Sequence, residues 1–502
     1  MQLRELCGDI EYVLIQGDLD TEVEDIIYDS RRPMKGAMFV CMAGAVTDGH
    51  EYIPEAVEKG VSAIVVERAD VVSDIPEDIA VIKVSSGRRA LAFMSAAYFG
   101  YPDRRLVTIG VTGTKGKTTT TYIIRDILMQ TGEKAGLIGT IAVVIGDKTM
   151  PAKNTTPESY EIHKYMAEMV EAGCRYMVME VSSQGLKLDR TAGIIFDYGV
   201  FTNLSSDHIG PAEHVDFDEY LACKSLLFRQ CVTGIVNIDD KYAGRVLKGH
   251  TCSVVTFSAE READLSASDI EFLNEDGRLG MSFTASGLMN CRARIYIPGR
   301  FSVYNALATM AVCSKLGISR EAVLAGLEEI KVKGRVELVP VSKEFSVIID
   351  YAHNELSTRS VLETLKQYQP ARLICVFGCG GNRSKVRRYD IGRVAGQLAD
   401  LSILTSDNPR FEKVEDINDD IKIGMAQSNG SYIEIPDRKE ALAYAITHAK
   451  PGDMIVTLGK GHEDYIEIEG VKYHFSEHEA IGEIVDEIKT GQRRLENEVS
   501  LI

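Results

Sequence analysis

Two patterns alternate along most of the chain: short runs of consecutive apolar residues bounded by turn residues, and longer stretches whose apolar positions recur every three or four residues. The first predicts buried strands and the second amphipathic helices packed against them, which together describe an α/β fold with parallel sheets. Apolar runs at 38–42, 62–67 and 80–84 alternate with helical patterns at 53–59 and 88–99, predicting a small α/β unit. Pro102-Asp-Arg-Arg105 reads as a charged, turn-rich joint. Beyond it, strands are predicted at 176–181, 197–202 and 234–237, with helices at 159–172 and 217–229. After Thr256 the pattern loosens, with strands near 279–284 and 293–297 and helices at 302–316 and 320–330. Lys333-Gly-Arg335 reads as a second hinge, and the last third carries strands at 346–350, 372–377, 401–405 and 454–458 that predict a second doubly wound sheet. The expected division is three domains, 1–101, 102–333 and 334–502, in keeping with roughly 100–200 residues per domain. No internal repeat interrupts this plan, and the charged tail after Lys489 is expected to fray.

The most informative single stretch is Leu106-Val-Thr-Ile-Gly-Val-Thr-Gly-Thr-Lys-Gly-Lys-Thr-Thr-Thr120, a β-rich run that enters a glycine-spaced loop and continues into the helical pattern 122–129. It reads as a nucleotide phosphate loop. Gly113 and Gly116 let backbone amides approach an anion, Lys117 supplies charge to the β and γ phosphates, and Thr118 offers a hydroxyl to Mg²⁺ at a helix N-terminus. Thr114, Lys115 and Thr119 complete the expected ATP cradle. The longer phosphate-loop pattern requires a glycine where this chain has Val111, so the loop is the shorter variant Gly-Thr-Lys-Gly-Lys-Thr.

Composition narrows the partners. Hydrophobic residues make up 45% of the 502, ample for several cores, and the formal charge of −18 argues against a broad nucleic-acid-binding face, leaving small molecules as the expected partners. The ten cysteines lack the paired Cys-x-x-Cys spacing of a structural zinc site and are expected to be reduced and mostly buried. The N-terminus lacks the apolar core of a signal peptide and no apolar run approaches ~18 residues, so a cytoplasmic protein without a membrane span is expected, as a monomer.

Glu180-Val-Ser-Ser183 and Thr202-Asn-Leu-Ser-Ser-Asp-His208 each close a predicted strand, which places Glu180 and His208 at the carboxyl edge where α/β sheets bind ligands. A carboxylate and an imidazole beside a phosphate loop suit a divalent metal; taken singly, a capping Glu and a surface His read equally well. In order, the chain carries Gly-Thr-Lys-Gly-Lys-Thr, Asn154-Thr-Thr-Pro157, Glu-Val-Ser-Ser, Asn-Leu-Ser-Ser-Asp-His, Asp350-Tyr-Ala-His353, Gly378-Cys-Gly-Gly-Asn-Arg383, Asp407-Asn-Pro-Arg410 and Gly459-Lys-Gly-His-Glu463. This order resembles the Mur ligases, and within them the MurE branch. Asp29-Ser-Arg31, Gly36 and Asp48-Gly49 extend the resemblance over nearly the whole chain.

The resemblance implies a central ATPase domain with a parallel sheet, flanked by a small N-terminal domain that binds a UDP-sugar and a C-terminal Rossmann-like domain that binds an amino acid. It implies an ATP-dependent amide ligase of peptidoglycan precursor synthesis, adding meso-2,6-diaminopimelate to UDP-N-acetylmuramoyl-L-alanyl-D-glutamate through an acyl phosphate. Lys117, Glu180, His208 and Lys224 would be catalytic. One Mg²⁺ would sit at Thr118 and Glu180 and a second at His208 and Lys224, the latter as a carbamate because a bare ammonium repels a cation; an ordinary surface lysine is the plain alternative for Lys224. Asn305, Arg335 and Asp350 would contact the nucleotide, although Arg335 reads equally as a hinge ion-pair residue. The UDP-sugar dipeptide would meet Ser30, Ala45, Val46 and Thr47, and centrally Asn154, Thr155, Thr156, Ser182 and Arg190. The acceptor would meet Arg383, Asp407, Asn408, Pro409, Arg410, Gly459 and Glu463.

Acceptor choice turns on charge. Diaminopimelate ends in a carboxylate and an ammonium, lysine in an ammonium alone; Arg410 can grip the carboxylate and repels the lone cation, while Glu463 can take the ammonium. The chain departs from the family at Gln184, where His is common, at Asn354-Glu-Leu356 after Asp-Tyr-Ala-His353, after His208 in the stretch 206–214, and at Phe475-Ser-Glu-His478. These departures bear on the acceptor pocket more than on ATP use. They keep open a sibling ligase that uses lysine or another amine, and a nucleotide-binding regulatory paralogue without ligase activity.

Overall fold

The computed structural model describes residues 1–32, 34–44, 47–73, 75–205, 210, 213–275 and 278–502. These form two compact units: 1–266 with 287–289 and 307–323, and 267–286 with 290–306 and 324–502.

The first unit holds two sheets. The N-terminal one has five strands in the order Val13–Gln16, Ala80–Lys83, Ala63–Val66, Met38–Val40, Ile26–Ile27, with only the Val13–Gln16 edge antiparallel. Its three predicted strands are all present, and the helix Gly87–Tyr98, capped by Ser86, lies against it. The sheet belongs to the same unit as the central one because the helix Ser159–Glu171 joins them. Tyr160 enters the N-terminal core and donates to Asp25 (2.6 Å), Tyr28 donates to Glu161 (2.6 Å), and Arg88 pairs with Glu158 at 3.4 Å. Pro102–Arg105 forms a single 3₁₀ turn.

In the central sheet the strands Ser253–Ser258, Cys231–Asn237, Phe196–Phe201, Val107–Thr112, Tyr176–Glu180 and Ala135–Ile138 lie side by side and parallel. An antiparallel pair, Ala142–Ile145 and Lys148–Pro151, extends the edge. Register aligns the strand ends. Glu180 lies opposite Val111 and Phe201 opposite Thr112, so three neighbouring strands end level and their loops share one edge. The helical pattern 217–229 is α-helical over Phe217–Ser225 and tightens to a 3₁₀ turn at Leu226–Arg229.

In the second unit the sheet order is Glu337–Val339, Ser346–Asp350, Met454–Leu458, Leu373–Phe377, Leu401–Leu404, Tyr432–Glu434, parallel except for the first pair. The four predicted strands form its centre. Two apolar clusters fill the two faces, and Arg438 with Glu477 forms a buried ion pair beneath the carboxyl edge. The tail corrects an expectation: it does not fray. Arg493 pairs with Glu440 and Glu487, the Glu496 amide bonds the Thr447 carbonyl (2.9 Å), the Ile502 amide bonds the Val341 carbonyl (2.8 Å), and Val499 and Leu501 pack on the core.

All ten cysteines are free thiols and nine are buried, as their spacing led us to expect. No helix among the described residues is long and apolar enough to cross a membrane.

Candidate functional site

The phosphate loop is built by its neighbours. The strand Val107–Thr112 ends at Gly113 (φ 150°), where a Cβ would stand 2.0 Å from the Thr202 hydroxyl, so only glycine lets the loop lie against the next strand end. Asn203 grips the loop from that side: its carbonyl accepts from the Thr114 amide (2.8 Å) and its side chain bonds the Lys115 amide and carbonyl (3.0 Å each). Gly116, at φ 87°, turns the chain into the helix Lys117–Gln130, whose N-terminus faces the loop with the positive end of its dipole. Lys117 folds back over the loop, its ammonium on the Gly113 (2.9 Å) and Thr114 (3.1 Å) carbonyls.

Glu180 is fully buried at the end of the adjacent strand. It accepts from the Thr118 hydroxyl (3.0 Å), the Thr140 amide (2.8 Å) and the Thr140 hydroxyl (3.0 Å). Gly139 is the only fit beside it, since a Cβ there would meet the carboxylate at 2.5 Å. Thr118 and Glu180 therefore present two hard oxygen donors side by side at a phosphate-binding loop, the donor type that Mg²⁺ takes together with phosphate oxygens. Among the described residues no three His, Cys, Asp or Glu side chains cluster in a metal-binding arrangement. Lys224, 1% exposed, is no surface lysine. Its ammonium donates to the Gly113 carbonyl (2.9 Å) over the Tyr220 ring, placing it under the same loop. His208, Ala45 and Val46 lie outside the described residues.

Thr155 and Thr156 stand beside Glu180: the Thr155 and Thr140 hydroxyls are 3.0 Å apart, and Thr156 bridges the Glu180 carbonyl and the Ser182 amide (2.9 Å each). Ser182 caps the short helix Ser183–Lys187. Arg190 bonds the Thr156 carbonyl (2.9 Å) and pairs with Glu158 at 2.7 Å, while Asn154 is exposed. Beside the departure at Gln184, buried His214 bonds Ser183 (2.9 Å), and burial lowers its pKa from the ordinary histidine value. In the loops beside the N-terminal sheet the Ser30 carbonyl accepts from Lys59, and Thr47 is exposed.

In the second unit, four loops at the carboxyl edge line a cleft of about 140 Å³ bounded by Tyr351, His353, Gly378, Arg383, Asp407, Asn408, Arg410, Gly459 and Glu463, among others. The structure thus brings together the acceptor residues named from sequence, with Pro409 in the turn between Asn408 and Arg410. Arg410, at φ 52°, bonds Glu467 (3.1 Å) and the Gly381 carbonyl (2.8 Å), and Asn408 donates to Glu463 (2.9 Å). Arg383 is exposed at the rim. Asn305 is buried in the helix Arg300–Lys315. Arg335 lies over the Tyr351 ring, 4.8 Å from its centroid, and bonds the Gly334 carbonyl. Asp350 is buried and accepts from the Val336 (2.8 Å) and Ala352 (2.7 Å) amides; burial raises its pKa above the usual carboxylate value against the pull of Arg335. It braces the hinge backbone where Val336 sits at φ 46°.

Three contributors escaped sequence reasoning. Thr140 and Asn203 are the short polar residues that hold Glu180 and the loop; Asn203 sits inside a quoted motif, whereas nothing local marks Thr140. Lys460, between two glycines, is buried behind the acceptor cleft.

Residues 22–99 match the model for the Mur ligase family catalytic domain, 111–313 that for the Mur ligase middle domain, and 334–461 that for the Mur ligase glutamate ligase domain. The chain is 41% identical over 491 residues to the UDP-N-acetylmuramoyl-L-alanyl-D-glutamate–2,6-diaminopimelate ligase of Clostridium tetani, covering 97% of this chain and 100% of that one. It is equally similar, at 41% with the same coverage, to ligase 1 of that description from Clostridium acetobutylicum. A solved structure of a diaminopimelate ligase of the same description superposes with a TM-score of 0.69 at 26% identity, over 97% of this chain and 99% of that one. A MurF structure from Acinetobacter baumannii, at 20% identity and a TM-score of 0.62 over 97% of this chain and 98% of that one, shares the fold. With a phosphate loop level with Glu180 and matches that extend from end to end, the chain belongs to the Mur ligase family.

Proposed function

We propose that the chain joins 2,6-diaminopimelate to UDP-N-acetylmuramoyl-L-alanyl-D-glutamate, turning ATP into ADP and phosphate. The observation that carries this is the phosphate loop with Thr118 hydrogen-bonded to Glu180 at one strand edge, in a chain 41% identical over its length to ligases of that description. A carboxylate is a poor electrophile; its oxygen attacks the γ-phosphorus, ADP leaves, and the acyl phosphate is then opened by the acceptor amine with loss of phosphate and a proton.

Lys117 and the amides at the start of the helix Lys117–Gln130 would hold the phosphates and offset the charge of two anions forced together. Thr118 and Glu180 would hold Mg²⁺, which supplies further charge neutralisation there. Carbamylated, Lys224 would become an anionic ligand for a second ion together with His208; its buried place under the loop supports that role. Ser30, Thr47, Asn154, Thr155, Thr156, Ser182 and Arg190 would meet the UDP-sugar dipeptide, and Asn305, Arg335 and Asp350 the nucleotide. Arg410 and Glu463, both lining the cleft, would take the distal carboxylate and ammonium of diaminopimelate. The family matches at 22–99, 111–313 and 334–461 support domain divisions near 101 and 333. A monomer in the cytoplasm, serving cell-wall growth and with it cell shape and division, completes the proposal; ATP and a nucleotide-linked sugar are intracellular substrates.

The test is a reaction with ATP, Mg²⁺ and the precursor, with phosphate release and product mass followed for meso-diaminopimelate, L-lysine and no acceptor. A tripeptide product with diaminopimelate alone supports the proposal. A lysine product overturns the acceptor, and no product with either overturns the ligase.

A further inference from the structure

Lys460 is fully buried, and it does not itself line the acceptor cleft. Its ammonium donates to the Asn408 side-chain carbonyl (2.8 Å) and to the Tyr465 backbone carbonyl. It also lies 3.3 Å from the Glu463 carboxylate and 3.6 Å from that of Asp407, both of which do line the cleft. Asn408 closes the ring by donating to the same Glu463 carboxylate (2.9 Å). Burying an ammonium is costly unless it is paired, so this lysine holds its place through those partners. Burial lowers its pKa from the ordinary lysine value, against the opposing pull of Asp407 and Glu463. Within this cluster, two carboxylates and one ammonium leave one net negative charge at the cleft wall, where the carboxylates alone would leave two.

Resting on the diaminopimelate reading above, we propose that Lys460 is a positioning residue that sets acceptor choice. It neutralises one of the carboxylates at Asp407 and Glu463 and holds Asn408 and Glu463 in place, so the cleft favours an acceptor end bearing both an ammonium and a carboxylate over one bearing an ammonium alone. Arg410, anchored by Glu467 and the Gly381 carbonyl, faces the same cleft and adds its charge in the same sense. Without Lys460, the second negative charge draws the lone ammonium of lysine and repels the carboxylate of diaminopimelate. At an effective dielectric of about 20 and a separation of about 6 Å, one unit charge shifts the preference by about tenfold to a hundredfold.

The experiment measures kcat/KM for meso-diaminopimelate and for L-lysine on Lys460→Met, Asp407→Asn and the double variant, with the KM for ATP as a separate readout. Lys460→Met is expected to move the diaminopimelate-to-lysine ratio at least about tenfold toward lysine, through the acceptor KM and with the KM for ATP unchanged. The double variant, with its charges rebalanced, is expected to recover part of the natural ratio. Asp407→Asn alone keeps Lys460, does not depend on Lys460→Met folding, and is expected to move the ratio away from lysine. A ratio unchanged in Asp407→Asn, or a Lys460→Met that loses both acceptors in equal proportion, overturns the proposal, because a purely structural lysine would do that. A natural chain that joins lysine but not diaminopimelate removes the underlying reading, and this one with it.

Discussion

Removing Glu477 tests how the acceptor loops are held. Its Oε1 accepts from Arg438 Nε (3.0 Å) and Nη2 (2.8 Å), and its Oε2 accepts from the Thr457 hydroxyl (2.9 Å). Arg438 is 0% exposed and Glu477 1% on the side chain, so water cannot replace the lost partner. The same guanidinium donates to the carbonyls of Ser406 and Leu458, the residues just before Asp407 and Gly459, so the ion pair anchors two of the cleft's loops. Glu477→Ala leaves a buried charge without its counter-ion, which costs about 3–5 kcal/mol. In a unit of roughly 200 residues, where 1 kcal/mol moves the midpoint by about 2–4 °C, that is a fall of about 6–20 °C in the transition of this unit. Arg438→Met with Glu477→Leu removes both charges but strands the Ser406 and Leu458 carbonyls, at about 1–3 kcal/mol each. Calorimetry of the full chain should therefore show the double variant losing clearly less than the sum of the singles. Equal losses in sum, or a Glu477→Ala midpoint within about 2 °C of the natural chain, would refute the claim that this pair braces the cleft.

Three other features can be probed singly. Thr140→Val removes a hydroxyl donor from Glu180 but keeps the backbone amide bond, and should lower kcat by about tenfold to a hundredfold, the worth of one hydrogen bond to a charged group, in a steady-state phosphate-release assay. His163, 1% exposed, is held down to a pKa of about 4 by burial. Because the unfolded chain binds its proton near pH 6.5 and the folded chain does not, the stability this group contributes is full above about 6.5 and falls as pH drops toward 4, at a slope of up to ~1.4 kcal/mol per pH unit. His163→Leu should flatten that slope in denaturant titrations without loss at pH 7.5. Of the ten thiols only Cys291 is more than slightly exposed, and burial raises the pKa of others, Cys7 and Cys379 to about 12, so a disulfide reagent should titrate one thiol quickly in the native chain and ten after unfolding.

Much of this architecture is legible in the residues because parallel strands buried on both faces are continuous apolar runs. Tyr176–Glu180 and Met454–Leu458 announce themselves in that way. The phosphate loop is legible for a different reason: an anion site needs glycine at fixed spacing, and φ values of 150° and 87° at Gly113 and Gly116 show why. Strands with one wet face are harder to see. Leu265–Glu275 carries Ser, Asp, Glu and Asn among scattered apolar positions, and Lys148–Pro151 is held by pairing rather than burial. The tail misleads because its order comes from distant partners, Arg493 with Glu440 and Ile502 with Val341, which no local pattern encodes. Lys460 shows the same limit within the site. Composition places lysine at the surface, and only the folded loops reveal the two carboxylates and the amide that hold it inside.

The most direct test of the central claim uses precursor labelled with heavy oxygen in the reacting glutamate carboxylate, mixed with ATP, Mg²⁺ and equal amounts of meso-diaminopimelate and L-lysine, and reads the masses of the peptide product and the released phosphate. An acyl-phosphate ligase selective for diaminopimelate gives the diaminopimelate tripeptide and phosphate carrying one labelled oxygen per turnover. Unlabelled phosphate, or a peptide built on lysine, would contradict the account.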